Sequence, residues 1–538
     1  MKTAFVNAKV YVEAGHFEEA VLIEGNRIAK VGRRADILSS GADEVRDCGG
    51  KTLIPGFIDT HGHAFSLGLM RSEVPLLGAT SIEDIVDRGR KFLWAHPDLK
   101  AVHGMGWNYT DFTEGEIRNI NRYDLDRIST DIPVIFARAC EHMLAANSKA
   151  LELAGITAST PQVANGRFEI GENGEPNGCF HEAAMDLVKV LLQNPTDDEL
   201  EEMVRNSLRY MLSLGITTIQ SNDIGIDLPT DQILRIYDRI YAPDCEWFFP
   251  RIYAPAAFDE PGEFLEFIET AYKIPRHRNF TWGGLKLFKD GSLGAKSALV
   301  KEAYIGEPDN YGICVLSPEK AKEFLDIARA GKMRVMTHVI GDKAMADMIE
   351  SYKPVPEELR WGLNHCQISD MQIIDEMATN HIQAFVQPIF LRSDIAAMQG
   401  KIREVTQKTS YAFKTMMKKG INVSFGCDTP VEEPNPFDNI FCAVNRCDFN
   451  GRPEGGFYMD ESFTVEEAVD CYTVNGAWSQ FRENDLGRIK EGYMADMVLL
   501  DNDIFTQNIC ELRDNRVLMT MVDGKIMYEA QSSRGCVD

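Results

Sequence analysis

Pro55-Gly56-Phe57-Ile58-Asp59-Thr60-His61-Gly62-His63 is the stretch that orders the rest of this chain. It is a short apolar run ending in two histidines with one glycine between them. In extended backbone, residues i and i+2 point the same way, so both imidazoles face one pocket. Gly62 leaves room between them.

The run heads a series. Working outward from it, apolar strands are expected at 52–59, 217–221, 247–253, 284–288, 334–337, 360–364, 383–387 and 422–426. Amphipathic helices separate most of them, such as 318–330 after the fourth strand and 343–352 after the fifth. Alternating strand and helix predicts a parallel sheet, and eight such units predict closure into a (β/α)8 barrel, an α/β fold. The gap between the first two strands is too long for one helix. Residues 70–195 are therefore expected to form an inserted α/β subdomain within a barrel spanning 54–486. The two ends share another texture. Strands with tight turns at Gly25-Asn26 and Asp523-Gly524 predict one small β-sandwich domain built from 1–53 and 487–538.

Catalytic groups of barrels gather at the C-terminal ends of strands. His61 and His63 stand at the end of the first strand, His338 at the fifth, His365 at the sixth and Asp428 at the eighth. One histidine at a strand end is ordinarily a hydrogen-bonded structural residue, and Asp428 alone would only cap a turn. Imidazoles and a carboxylate in register at four strand ends instead predict a divalent metal site, of the zinc type.

Composition narrows the partners. The chain has 538 residues, 56 Lys and Arg against 82 Asp and Glu, and a net charge of −26. That balance argues against nucleic acid and against an anionic membrane surface, and leaves a small-molecule substrate. No run reaches the length of a membrane span and no signal peptide is visible. The 12 Cys include no CxxC pair. Reduced thiols and a cytoplasmic location are expected, rather than a zinc ribbon.

The histidine motif resembles the first-strand metal motif of the amidohydrolase superfamily. Gly284-Leu285-Lys286-Leu287-Phe288-Lys289-Asp290-Gly291-Ser292-Leu293-Gly294 resembles a signature of the branch that includes N-substituted formamide deformylase. His338-Val339-Ile340-Gly341-Asp342, His365-Cys366-Gln367, Gly426-Cys427-Asp428-Thr429-Pro430-Val431 and the tail 487–496 match the same branch in order, so the likeness covers essentially the whole chain. It implies hydrolysis of a C–N bond of an amide, N-acyl, N-formyl or cyclic amide kind. It implies that Lys286 carries a carbamate formed with CO2 and bridges two divalent metals. His61 and His63 would hold the buried metal and His338 and His365 the exposed one. Asp428 would contact the buried metal and shuttle the proton. Trp107, His142 and Gln367 match segments expected to line the substrate pocket, although ordinary packing explains each as well. The family often forms homodimers, yet the sequence shows no interface signal.

Three positions depart from the branch. Asn364 stands in place of an acidic residue, Lys296 in place of Arg, and Glu141 where Asp-Gly is usual. They predict a different substrate pocket. A deaminase of the same superfamily is the alternative. Such sites lack the bridging lysine and place a Glu shortly after the fifth-strand histidine, where this chain has Val339-Ile340-Gly341-Asp342. A barrel that has lost its chemistry would have lost ligands, and none is missing here.

Overall fold

The computed structural model describes residues 1–97, 99–139, 142–192, 195–226, 228–242, 249–274 and 277–530. Eight parallel strands form its central sheet: β1 (Phe57–Gly62), β2 (Ile216–Ser221), β3 (Arg251–Ala257), β4 (Phe280–Phe288), β5 (Val335–Val339), β6 (Gly362–His365), β7 (Gln383–Val386) and β8 (Val423–Phe425). They are hydrogen-bonded in chain order. Their residues are almost all buried, as expected for strands covered on both faces.

β8 meets β1 and closes the ring. The Asp428 N–H donates to His61 O at 2.7 Å, and the His63 N–H to Thr429 O at 2.8 Å. The Thr60 hydroxyl adds a bond to Phe425 O at 2.9 Å. Gly426 is required here, because a Cβ would lie 2.5 Å from the His61 nitrogen.

The helices follow from their sequences. Pro318–Ala330 begins at Ser317, whose hydroxyl accepts from the Lys320 N–H, and Pro318 supplies the preset first turn. Ala321, Phe324, Leu325 and Ala328 form its buried stripe. Asp342–Tyr352 covers the next crossover, with Ala344, Met345, Met348, Ile349 and Tyr352 buried.

Two expectations need correction at their edges. The strand expected at 52–59 is two strands. Thr52–Pro55 pairs with Met497–Leu500, while Phe57–Gly62 enters the barrel. Gly56 lies between the two strands, where a Cβ would meet the Thr217 side chain at 2.3 Å, so only glycine fits. The strand expected at 247–253 starts at Arg251 and runs to Ala257, and Trp247 and Phe248 lie outside the described residues.

Strands from both ends of the chain share one six-stranded sheet, ordered Lys525–Glu529, Val517–Val522, Met497–Leu500, Thr52–Pro55, Lys9–Glu13, His16–Glu18. A four-stranded sheet of Arg27–Gly32, Ala20–Glu24, Lys2–Val6 and Glu44–Asp47 lies with it. Phe5, Val21, Leu53, Met497 and Met519 belong to one buried cluster drawn from both ends. Its two hairpin turns also touch, the Asn26 amide donating to Asp523 Oδ1 at 3.0 Å.

Residues 1–66 and 204–538 make one compact unit and 67–203 a second, so the insertion is a little longer than 70–195. By itself, the second unit is a six-stranded mixed sheet with the helix Ile82–Ala95 on one face. Ile85, Val86, Val102, Trp107 and Phe136 belong to its core. Among the described residues, no helix is long and apolar enough to cross a membrane.

Candidate metal centre

The strand ends bring the expected ligands together. His61 closes β1 and His63 lies just past it, their ring centroids 5.6 Å apart. Asp428 Oδ1 is 3.3 Å from Nε2 of both. Lys286, near the end of β4, places Nζ 3.3 Å from His61 Nε2. The His365 ring is 5.2 Å from that of His61 and 4.5 Å from that of His338. Ligand atoms of His61, His365 and Asp428 all lie within 4.8 Å of one another. His338 joins the group through His365.

Each imidazole is turned by what its other nitrogen meets. His63 Nδ1–H donates to Asn222 O at 2.7 Å, and His365 Nδ1–H to Gln387 Oε1 at 2.8 Å. Asn222 and Asn364 face His61 Nδ1 with their amides, at 2.7 and 3.0 Å. In these three rings Nε2 is left to the centre. His338 is turned the other way, its Nε2–H donating to Gly291 O at 3.1 Å, which leaves Nδ1.

Burial sets the charge states. It pushes His61 and His338 well below the ordinary imidazole range, with help from Lys286 at His61 and from His365 at His338. It takes His365 to about 4. These rings are neutral and offer lone pairs. Burial also draws His63 down, but its hydrogen bond to Asp428 and that carboxylate's charge outweigh it. Asp428 is the reverse case: burial opposes its charge, and the surrounding imidazoles, His61 first, hold it ionised well below the usual range. Lys286 is lowered to about 7 by burial, against the pull of Asp428. Neutral imidazoles around one carboxylate are the donor set that a divalent metal requires, so the residues fit such an ion.

The backbone is bent to achieve this. Asp428 has φ 59°, His365 φ 74° and Cys366 φ 49°. Non-glycine residues in left-handed backbone concentrate where surrounding structure enforces them, often at functional sites.

Several supporting groups escaped sequence reasoning. Asp59, within the opening motif, accepts the N–H groups of His61 and Cys427 at 3.0 and 3.1 Å and ties β1 to the β8 end. Burial raises its carboxyl to about 7. Asp290 accepts from Leu299, Ile340 and Gly341 N–H at 2.9, 3.0 and 2.8 Å, joining the loops after β4 and β5 beside His338. Asn222 and Gln387 stand just beyond the ends of β2 and β7. The strand-end rule that found the histidines would have found these two had it been applied to amides.

The expected substrate residues fare differently. Gln367 is buried two residues past His365, with Oε1 free of any hydrogen-bond partner. Trp107, expected to line the pocket, is instead fully buried in the core of the inserted unit, its indole N–H donating to Phe136 O at 3.3 Å. His142 is exposed and lies 3.1 Å from Glu182. Glu141 lies outside the described residues. Lys296 pairs with Glu307.

The chain matches the model of the amidohydrolase family over residues 44–528. It is 29% identical to YtcJ of Bacillus subtilis across 98% of this chain and 100% of that one. It is 27% identical to the N-substituted formamide deformylase of Arthrobacter pascens, across 96% of each. Among solved structures, an uncharacterized metal-dependent hydrolase from Pyrococcus horikoshii shares the fold with a TM-score of 0.72 and 24% identity, covering 95% of this chain and 99% of that one.

Proposed function

Because this chain belongs to the amidohydrolase family, we propose that it is a metal-dependent hydrolase that cleaves the C–N bond of a small amide of the N-acyl, N-formyl or cyclic kind. Zinc is the metal that the ligand types favour. His61 and His63 would hold one ion and His338 and His365 a second. Asp428 would contact the first, and Lys286 would bridge both. Such ions lower the pKa of a water and polarise a carbonyl.

The observation that carries this reading is the setting of Lys286. Its amine lies 2% exposed among imidazoles, 3.3 Å from His61 Nε2. A free ammonium there would repel a metal. An amine lowered to about 7 is partly uncharged at neutral pH, so its lone pair is available to add CO2. The product is a carbamate and a released proton, and the cation becomes an anionic oxygen ligand. A deaminase has no use for such a lysine.

The chain's own groups then move the proton. Asp428 is ionised and takes the proton of the attacking water, since an amine leaves readily only when protonated. It returns that proton to the departing nitrogen. Its carboxylate lies 3.3 Å from His63 Nε2, beside the ring that would share the first ion. Gln367 Oε1, buried and unpaired, is suited to accept a substrate N–H. The relative named N-substituted formamide deformylase supports N-formyl amides as the first class to try.

The test is a panel of N-formyl, N-acyl and cyclic amides offered to the zinc-loaded protein, scored by release of amine or opening of the ring. Turnover of at least one amide class, lost in Asp428→Asn, is expected. Ammonia released from amino-heterocycles with no amide turned over would replace this reading with deamination.

A further inference from the structure

His61 meets two amides at a ring nitrogen that has room for one. Asn222, just past the end of β2, and Asn364, next to last in β6, place Nδ2 at 2.7 and 3.0 Å from His61 Nδ1. All three residues are at most 1% exposed, so these contacts are made away from bulk solvent. An amide nitrogen only donates, so the arrangement makes Nδ1 an acceptor. One in-plane lone pair cannot meet two donors well. A neutral imidazole that accepts at Nδ1 also carries its hydrogen on Nε2. Yet Nε2 is the nitrogen that faces the centre, 3.3 Å from Asp428 Oδ1 and 3.3 Å from Lys286 Nζ. A protonated Nε2 has no lone pair for an ion. Two amide donors at Nδ1 and ligation through Nε2 therefore exclude each other.

The unmet atoms show how the conflict resolves. Asn222 Oδ1 and Asn364 Oδ1 are both buried without a hydrogen-bond partner. A half turn about the last side-chain bond exchanges the oxygen and the nitrogen of an amide. The two asparagines are not equally free to make that turn. Asn222 Nδ2 has two further acceptors, Gly62 O and Gln220 O, each at 3.4 Å. Among the described residues, Asn364 Nδ2 has His61 Nδ1 alone. Turning Asn364 gives up nothing else and brings its unmet oxygen to Nδ1.

We infer that Asn364 is a positioning residue of the metal centre: its Oδ1 accepts the His61 Nδ1–H, and this fixes the tautomer that leaves Nε2 for an ion. Asn222 then directs its two amide hydrogens to Gly62 O and Gln220 O. The inference rests on the metal reading above and adds a consequence to it. Asn364 is a neutral acceptor. A carboxylate in its place would draw the Nδ1 hydrogen harder and make Nε2 a stronger donor. The amide thus sets a looser hold on the ion at His61 than an acid would.

The test measures zinc affinity of the intact chain by competition with a chelator, in wild type, Asn364→Asp and Asn364→Leu. Ionised Asp keeps the shape and only accepts, whereas Leu keeps the bulk and neither donates nor accepts. Asn364→Asp is expected to tighten zinc by about 10–100-fold and Asn364→Leu to weaken it by a similar factor. A merely structural role would weaken both variants, and that result, or no change in either, would overturn the proposal. Neutron diffraction from deuterated, zinc-loaded wild-type crystals reads the tautomer without any substitution, so it decides even where Asn364→Asp fails to fold. Deuterium on His61 Nδ1, directed at Asn364 Oδ1, is expected. Deuterium on Nε2, or an Nδ1 deuterium directed at Asn222 instead, would contradict the assignment. Wild-type protein that takes up no zinc at all would remove the metal reading itself, and this inference with it.

Discussion

Asp428 and His61 are joined twice. The Asp428 N–H donates to His61 O at 2.7 Å, and the Asp428 carboxylate lies 3.3 Å from His61 Nε2. The backbone bond closes the barrel between its last and first strands, and the side-chain contact assembles the candidate centre. One seam therefore serves fold and chemistry together, and damage to either is expected to reach the other.

Asp428→Asn separates proton transfer from ligation. Asparagine keeps the shape and one oxygen, but it cannot take up and return a proton near neutral pH. Fold and most of the metal should be retained, while kcat falls by about 10²–10⁴-fold. Near-normal kcat at full metal content would reduce Asp428 to a structural ligand.

Gly426→Ala tests the seam while leaving every ligand side chain in the sequence. The added Cβ would sit 2.5 Å from the His61 nitrogen and 2.9 Å from Asp59 Oδ1. Overpacking of this kind destabilises by about 1–3 kcal/mol, and metal should be lost with it. Gly294→Ala is the control, since nothing lies within 4 Å of its Cβ. Equal melting temperatures for the two variants would show that the seam yields freely.

Arg251→Met removes the partner of two buried carboxylates. Arg251, Asp496 and Asp523 are each at most 5% exposed, and the pairing joins β3 to the strands near the C-terminal end of the chain. Leaving Asp496 without its cation, while Asp523 keeps Arg278, should destabilise by about 3–5 kcal/mol, as breaking a buried pair does. Replacing all three by apolar residues should recover much of that loss. A single variant as stable as wild type in denaturant titration would show that the pairing is dispensable.

The barrel was legible because its signal is redundant. Buried parallel strands read as plain apolar runs, and the first, fifth and sixth carry at their ends a residue type rare in a core, such as His338 or His365. Less was legible where one residue changes direction. Nothing in 52–59 distinguishes a continuous strand from two strands parted at Gly56, because Thr217, whose side chain leaves no room for a Cβ there, is 161 residues away in sequence. The supporting amides are a similar case. Asn222 and Gln387 are ordinary residues until the fold sets them against ring nitrogens. Trp107 is expected at the pocket from the likeness of its segment to the branch, with packing an equal alternative, and in the structure it packs in the core of the inserted unit.

Lys286→Ala bears on the bridge. In the proposed centre, removing the side chain deletes the carbamate that would bridge the two ions. The variant should hold fewer metals and lose turnover, and added short carboxylic acids should restore part of both by occupying the vacated space. Full metal content without rescue would assign Lys286 a different role.

The most direct measurement is the number of metal ions per chain in the zinc-loaded wild-type protein, determined by elemental analysis after removal of free metal. His61, His63, Lys286, His338, His365 and Asp428 acting as one bridged centre predict two per chain. A value of one, with full amide-hydrolysing activity, would contradict the bridged centre. A value of zero would contradict metal-dependent hydrolysis altogether.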